Sequence, residues 1–151
     1  MNFIKKEMVE LANQYVNGEM DRELLIQKAN QYYQLNTYHK EGVFFILLGE
    51  LFEDPEDNEL IVTRDSIIRI LDNYIQKSIS LEDVELWFWD VLNLNIQGDD
   101  SEEELIFYLL YLFDNLEING ITDNHMIEVN GILKSVLHAE LALEEIKKIF
   151  G

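Results

Sequence analysis

Leu105 to Phe113 is nine apolar residues in a row, LIFYLLYLF, and no other stretch narrows the possible folds as much. Glu102, Glu103 and Glu104 precede it, and Asp114 and Asn115 follow. Ser101 with Glu104 three positions on reads as a capping box, and the acids stand where the positive end of a helix dipole favours them. The stretch 101–116 is therefore expected to be a helix. Lacking a polar stripe, it should be covered by neighbours on most faces, as the central helix of a core. It is too short for a membrane, since a span requires ~18 to 20 apolar residues.

Around it the breakers are sparse, one proline and seven glycines in 151 residues, so helices joined by tight loops are favoured. Phe3, Ile4, Met8, Leu11, Ala12, Tyr15 and Val16 recur at helical spacing, giving a first helix that ends near Asn17 and Gly18. Asp21 is a plausible cap for a second, with Leu24, Leu25, Lys28, Ala29, Tyr32 and Tyr33 on one side. A third runs from about Glu41 to Phe52 and stops at the acidic turn before Pro55. Thr63 caps a fourth, where Ile67, Ile68, Ile70, Leu71, Tyr74 and Ile75 repeat with the helical period. Ser80 opens a fifth, SLEDVELWFWDVLNLN, with Asp83 at its third position. Asn119 and Gly120 end the central helix and Thr122 caps the next. A last helix from His138 to Phe150 turns Leu141, Leu143, Ile146 and Ile149 inward. Ile61 with Val62, and Ile118 to Ile121, are too short and isolated for a sheet. The expectation is an all-α fold: one compact domain over 1–151, of roughly seven or eight helices.

Thirty acids against eleven lysines and arginines leave a formal charge of −19, far beyond the magnitude of roughly 2 to 8 usual for a small domain. With 48% hydrophobic residues the chain has enough apolar surface to fold, so the charge belongs to a folded surface. Such a field repels phosphate backbones and anionic membranes and speeds encounters with cationic partners. Direct nucleic-acid and membrane binding are disfavoured, whereas a basic protein fits. The absence of cysteine removes disulfides, thiolate metal sites and thiol nucleophiles together. Acids interrupt the apolar residues of the N-terminal stretch, so no signal-peptide core is expected and a cytoplasmic location follows.

Candidate chemistry is thin. Asn115 to Met126 has the glycine of a calcium loop, but Asn115 stands where an acid is needed, Thr122 where an aliphatic is usual and Met126 where a bidentate glutamate is needed. Reading back three from His39, His125 and His138 gives Asn36, Thr122 and Ser135, so the Glu-x-x-His pairs of carboxylate-bridged metal sites are missing. No glycine-rich phosphate loop or nucleophile elbow occurs. No catalytic residue, metal site or cofactor is expected.

Two acidic places are more suggestive. Glu50 to Glu59 holds six acids in ten residues, and Glu53, Asp54, Glu56, Asp57 and Glu59 form a solvated turn around Pro55. In the fifth helix Leu81, Val84, Trp87, Phe88, Val91 and Leu92 share one side. The opposite side carries Glu82, Asp83, Leu86, Trp89, Asp90 and Asn93. Leu86 and Trp89 are thus apolar residues among acids, the look of an interface anchor, unless the helix is sandwiched and Trp89 packs on a second neighbour.

The order of these features resembles a known family. Tyr15-Val16-Asn17-Gly18-Glu19-Met20 after a first helix, and Leu51-Phe52-Glu53-Asp54 leading to a helix near Arg64, look like the opening of colicin-type bacterial immunity proteins. The tryptophan-bearing fifth helix, Leu116-Glu117-Ile118-Asn119-Gly120 and Thr122 are similar to segments of immunity proteins from polymorphic and contact-dependent toxin systems. The resemblance implies a cytoplasmic antitoxin that binds a cognate toxin domain, often a basic nuclease. No binding residue carries over from the family; the residues themselves point first to Glu82, Asp83, Leu86, Trp89 and Asp90 as the binding surface, then to the turn from Glu53 to Glu59. An acidic helical adaptor or nucleic-acid mimic that sequesters a DNA-binding protein is the alternative, and a carboxylate-held metal enzyme a third. Oligomeric state is left open.

Overall fold

The computed structural model describes residues 3–33, 44, 47, 60–92, 94–96, 98–116 and 118–150. Among them are seven helices: α1 (Phe3–Val16), α2 (Arg22–Tyr33), α3 (Arg64–Ile75), α4 (Leu81–Val91), α5 (Asp100–Phe113), α6 (Asp123–Ser135) and α7 (Ala139–Phe150). Two strands of two residues each, β1 (Ile61–Val62) and β2 (Asn95–Ile96), pair in parallel, Ile61 opposite Asn95. The architecture is all-α, as the periodicity predicts. The paired strands were not expected, because Asn95 lies in a stretch that continues the helical pattern of α4. None of these helices is long and apolar enough to cross a membrane.

Helix starts follow the side-chain chemistry of the sequence. Thr63, Ser80 and Thr122 each accept a hydrogen bond from the backbone amide three residues on, and the side chains of Ser66, Asp83 and His125 each accept one from the cap's own amide. Satisfying two otherwise orphan donors at each start stabilises these helices by about 1 kcal/mol apiece. The start of α5 differs from expectation. Asp99, not Ser101, is the cap, its carboxylate accepting from the Glu102 amide, so Ser101 lies within the first turn.

α1 ends in a Schellman turn. The Gly18 amide donates to Tyr15 O at 3.0 Å and the Glu19 amide to Gln14 O at 2.8 Å, with Gly18 at φ +73°. α3 ends the same way, but with Lys77 at φ +64° in place of glycine. Its amide bonds Tyr74 O, and that of Ser78 bonds Asn73 O. A β-carbon in left-handed backbone costs roughly 1 kcal/mol. Lys77→Gly is therefore expected to raise stability by about 0.5–1 kcal/mol, read as a higher urea midpoint at unchanged slope.

α1 packs on α2, α3 on α4 and α6, α5 on α4 and α7, and α6 on α7. The centre is aromatic. Phe88 stacks on Phe113 at 5.1 Å between ring centroids and meets Trp87 edge-on at 4.9 Å. Phe44 and Leu47 are buried in the same core. Arg64 at the start of α3 ties three elements together. It forks onto Glu102 of α5 at 2.9 and 2.8 Å and donates to the last carbonyls around α6, Val136 O at 2.6 Å among them.

Three inward assignments need correction. α5 is not covered on most faces: Leu105, Ile106, Leu109, Leu110 and Phe113 are buried, but Phe107 and Tyr111 are 39% and 65% exposed, their rings stacked on each other. The polar stripe missing from the apolar run is supplied by the acids before it, since Asp100, Glu103 and Glu104 continue the Phe107–Tyr111 face. In α7 the inner residues are Ala139, Ala142, Leu143 and Ile146, and Leu141 points outward at 52% exposure. In α2 the inner face is Arg22, Leu25, Ile26 and Ala29, leaving Leu24 outside.

Asp114, at the C-terminal cap of α5, has Oδ1 buried without a hydrogen-bond donor among the described residues. Burial raises its carboxyl above the usual range. A raised pKa means the protonated form is favoured in the fold, so stability is intact below the carboxyl's unfolded pKa of ~3.9 and falls as pH rises through the folded value. Asp114→Asn is therefore expected to stabilise the protein by about 1 kcal/mol at neutral pH, with the gain disappearing in acid melts near pH 3.

Candidate functional site

Ser80 and Asp83 fix the start of α4. The Asp83 amide donates to Ser80 Oγ at 3.1 Å, and the Ser80 amide donates to Asp83 Oδ2 at 2.9 Å. From that start the helix buries Val84, Trp87, Phe88 and Val91 and turns Glu82 and Trp89 to solvent, with Glu85 and Leu86 half-buried. Positions 82, 85, 86 and 89 follow the spacing of a single helix face. Trp89 is 50% exposed on it, so the sandwiched alternative does not hold. A rigid, capped helix thus presents an indole flanked by carboxylates.

Asp90 does not belong to that face. Its side chain is fully buried and takes hydrogen bonds from Tyr15 Oη at 2.5 Å, Arg22 Nε at 2.7 Å and Arg22 Nη2 at 3.1 Å. Three residues beyond Trp87, Asp90 sits at the edge of the inner arc. Desolvation forces such a carboxylate to find a cation. Burial, then the charge and hydrogen bond of Asp90, hold the Tyr15 hydroxyl well above its usual pKa. For Arg22 burial works downward, but the hydrogen bond and charge of Asp90 outweigh it and the pKa is raised. The group is a neutral tyrosine on a closed ion pair. Trp87 Nε1 adds a bond to Tyr15 O at 3.3 Å. These bonds brace the α1–α2 turn against α4.

Above that brace is a cleft of ≈ 430 Å³, open to solvent. Met20, Ile70, Ile79 and Trp87 form its apolar part, and Glu19, Asp21, Glu23 and Asp83 are the carboxylates that line it. The cation in its lining is Arg22, already engaged by Asp90. Asp83, beside Glu82 in sequence, is where the cleft meets the outer face of α4. Among the described residues no three histidines or acids converge as metal ligands do.

Glu82, Asp83, Leu86 and Trp89 therefore stand together at the surface, and Asp90 faces the other way. Glu53, Asp54, Glu56, Asp57 and Glu59 lie outside the described residues. Tyr15 and Arg22 were not anticipated from the sequence. A signal for Arg22 existed: it stands three, four and seven positions before Leu25, Ile26 and Ala29, on the apolar face of α2. The residues Gly18 to Glu23, which build a wall of the cleft, read in sequence only as the end of one helix and, from Asp21, the start of the next.

No family model, curated protein or solved structure matches the chain.

Proposed function

We propose that this protein is an acidic helical binding module of the immunity-protein kind, which captures and neutralises a basic protein, a nuclease toxin domain being the expected partner in the bacterial cytoplasm. The observation that carries the reading is Trp89, half-exposed on a capped helix beside Glu82 and Glu85 in a chain of charge −19. Interfaces concentrate their energy in a few aromatic anchors that become fully desolvated, while surrounding charges set partner choice and encounter rate. The tryptophan supplies the first and the carboxylates the second. A nucleic-acid mimic would need carboxylates at phosphate-like spacing along one surface. On α4 they are interleaved with Leu86 and Trp89, which favours a protein partner with its own apolar contact.

The test is association with the C-terminal domain of the protein encoded by the neighbouring gene, followed by stopped flow across an ionic-strength series. Charge-steered capture requires the association rate to fall by about tenfold or more between roughly 50 and 500 mM salt. An association rate indifferent to salt, or no association, would overturn the reading.

A further inference from the structure

We propose that Asn119 is a self-modifying position, at which the backbone nitrogen of Gly120 attacks the asparagine side chain and the chain slowly converts itself to an iso-linked aspartate. Three of the seven glycines follow an asparagine, at Asn17-Gly18, Asn119-Gly120 and Asn130-Gly131. Such a pair suits ring closure, because no β-carbon shields the glycine nitrogen and the glycine backbone turns freely. The structure selects one of the three. Asn17 is held by Ser66 Oγ, which donates to its Oδ1 at 3.2 Å, and the Gly18 amide is engaged by Tyr15 O in the Schellman turn. Arg69 and Ile70 stand 3.2 and 3.4 Å from where a Gly18 β-carbon would lie, so that turn has little room to rearrange. Asn130 is 3% exposed within α6, its Nδ2 donates to Asp72 at 2.7 Å, and the Gly131 amide belongs to the helical ladder. Asn119 and Gly120 are instead both exposed, in the turn between α5 and α6. Nothing but chain neighbours lies within 4 Å of where a Gly120 β-carbon would stand, and no carbonyl among the described residues takes its amide.

The step balances with water as the only co-reactant. Base takes the Gly120 amide proton, the nitrogen bonds to Asn119 Cγ, the Cγ–Nδ2 bond breaks, and Nδ2 takes up a proton and leaves as ammonia. The product is a five-membered imide. Water opens it at either carbonyl: cleavage of the new Cγ–nitrogen bond gives ordinary aspartate, and cleavage of the backbone C–nitrogen bond gives the iso-linked residue. The consequence is structural. Asn119 Nδ2 donates to Leu112 O at 2.8 Å, a carbonyl in the last turn of α5, where helical partners run out. That bond must open for ammonia to leave, which an exposed turn permits at low cost. A carboxylate only accepts hydrogen bonds, so either product replaces a capping donor with a negative charge at the negative end of the helix dipole. The iso-linkage also adds a methylene to the backbone between Leu116 and Ile121, whose 2.9 Å hydrogen bond closes the turn. Modification therefore uncaps α5.

Full-length protein held for days in mildly alkaline buffer, then digested and mapped by mass, tests this. Asn119 should exchange its amide for a carboxyl at least about tenfold faster than Asn17 or Asn130, because those two react only after local opening. Its product should appear as two peptides of equal mass, one of them labelled by an isoaspartyl methyltransferase. In strong urea the three pairs should react within about threefold of one another, since only local sequence then distinguishes them. Asn119→Asp should raise the unfolding equilibrium constant by at least about fivefold, through the lost donor alone. An intact Asn119, equal conversion at Asn17 or Asn130, or the same preference for Asn119 in urea would overturn the inference. Aspartate formed without its iso-linked counterpart would mean direct hydrolysis and overturn the attack by Gly120. Asn119→Asp as stable as the parent would overturn the uncapping.

Discussion

Asp90→Ala is expected to lower the unfolding free energy by about 3–5 kcal/mol, because it removes the buried carboxylate on which the guanidinium of Arg22 closes through two nitrogens. Arg22 is nearly as buried as its partner, with 8% side-chain exposure against 0%, so water cannot take over the carboxylate's role without the turn opening. For a domain whose total stability is on the order of 5–15 kcal/mol, this puts the variant near unfolding. The pair itself need not be a net stabiliser, since the cost of desolvating two ions offsets most of their attraction. The double variant Arg22→Met with Asp90→Leu should therefore recover most of the loss, and urea melts of the three proteins would show it. A single-variant loss below about 1 kcal/mol would mean the ion pair is solvated and the brace is not one.

The same cluster sets an alkaline limit. Tyr15 has a raised pKa, so the folded protein holds its proton after the unfolded chain, near pH 10, has given it up. Its contribution is complete below that pH and declines as pH rises toward the folded value. Tyr15→Phe should remove this alkaline slope while costing about 1–2 kcal/mol at neutral pH for the lost charge-assisted bond.

What the sequence made legible were the terms that act locally. Thr63, Ser80 and Thr122 cap through their own hydroxyls, and Gly18 ends α1 because only its backbone relaxes into φ +73° at no cost. None of that depends on what lies elsewhere in the fold. Faces were less secure. Asp90, 60° from Trp87 on the helical wheel, could belong to either side, and only Arg22, 68 positions away in sequence, decides it. Likewise Leu141 and Tyr111 are apolar yet exposed, because each lies on the face of its helix turned away from the buried residues of α7 and α5. β2 was hidden because Asn95 and Ile96 have no strand pattern of their own and pair only where β1 is brought beside them. The cleft was hidden for a similar reason: its walls come from the α1–α2 turn, α3 and α4, and its charge is a property of their meeting.

Trp89→Ala should weaken partner binding by at least about 2 kcal/mol, roughly thirtyfold in Kd, while costing less than about 1 kcal/mol of stability. The asymmetry follows from exposure. Half of the indole is already in water, so truncation opens no cavity, whereas in a complex the whole ring would be desolvated between Glu82 and Glu85. The control is Tyr111→Ala, which removes a still more exposed aromatic from α5, on a face that the proposed interface does not use. Calorimetric titration of both variants with the same partner separates the surfaces. If Tyr111→Ala costs the thirtyfold and Trp89→Ala costs nothing, the partner sits on the Phe107–Tyr111 face and α4 is not the recognition helix. If both leave affinity intact, neither aromatic anchors it. Glu82→Gln on the same background should change the association rate and its salt dependence more than the dissociation rate, as rim charges do. Loss concentrated in dissociation for Trp89→Ala and in association for Glu82→Gln would assign the indole to holding the partner and the carboxylate to drawing it in.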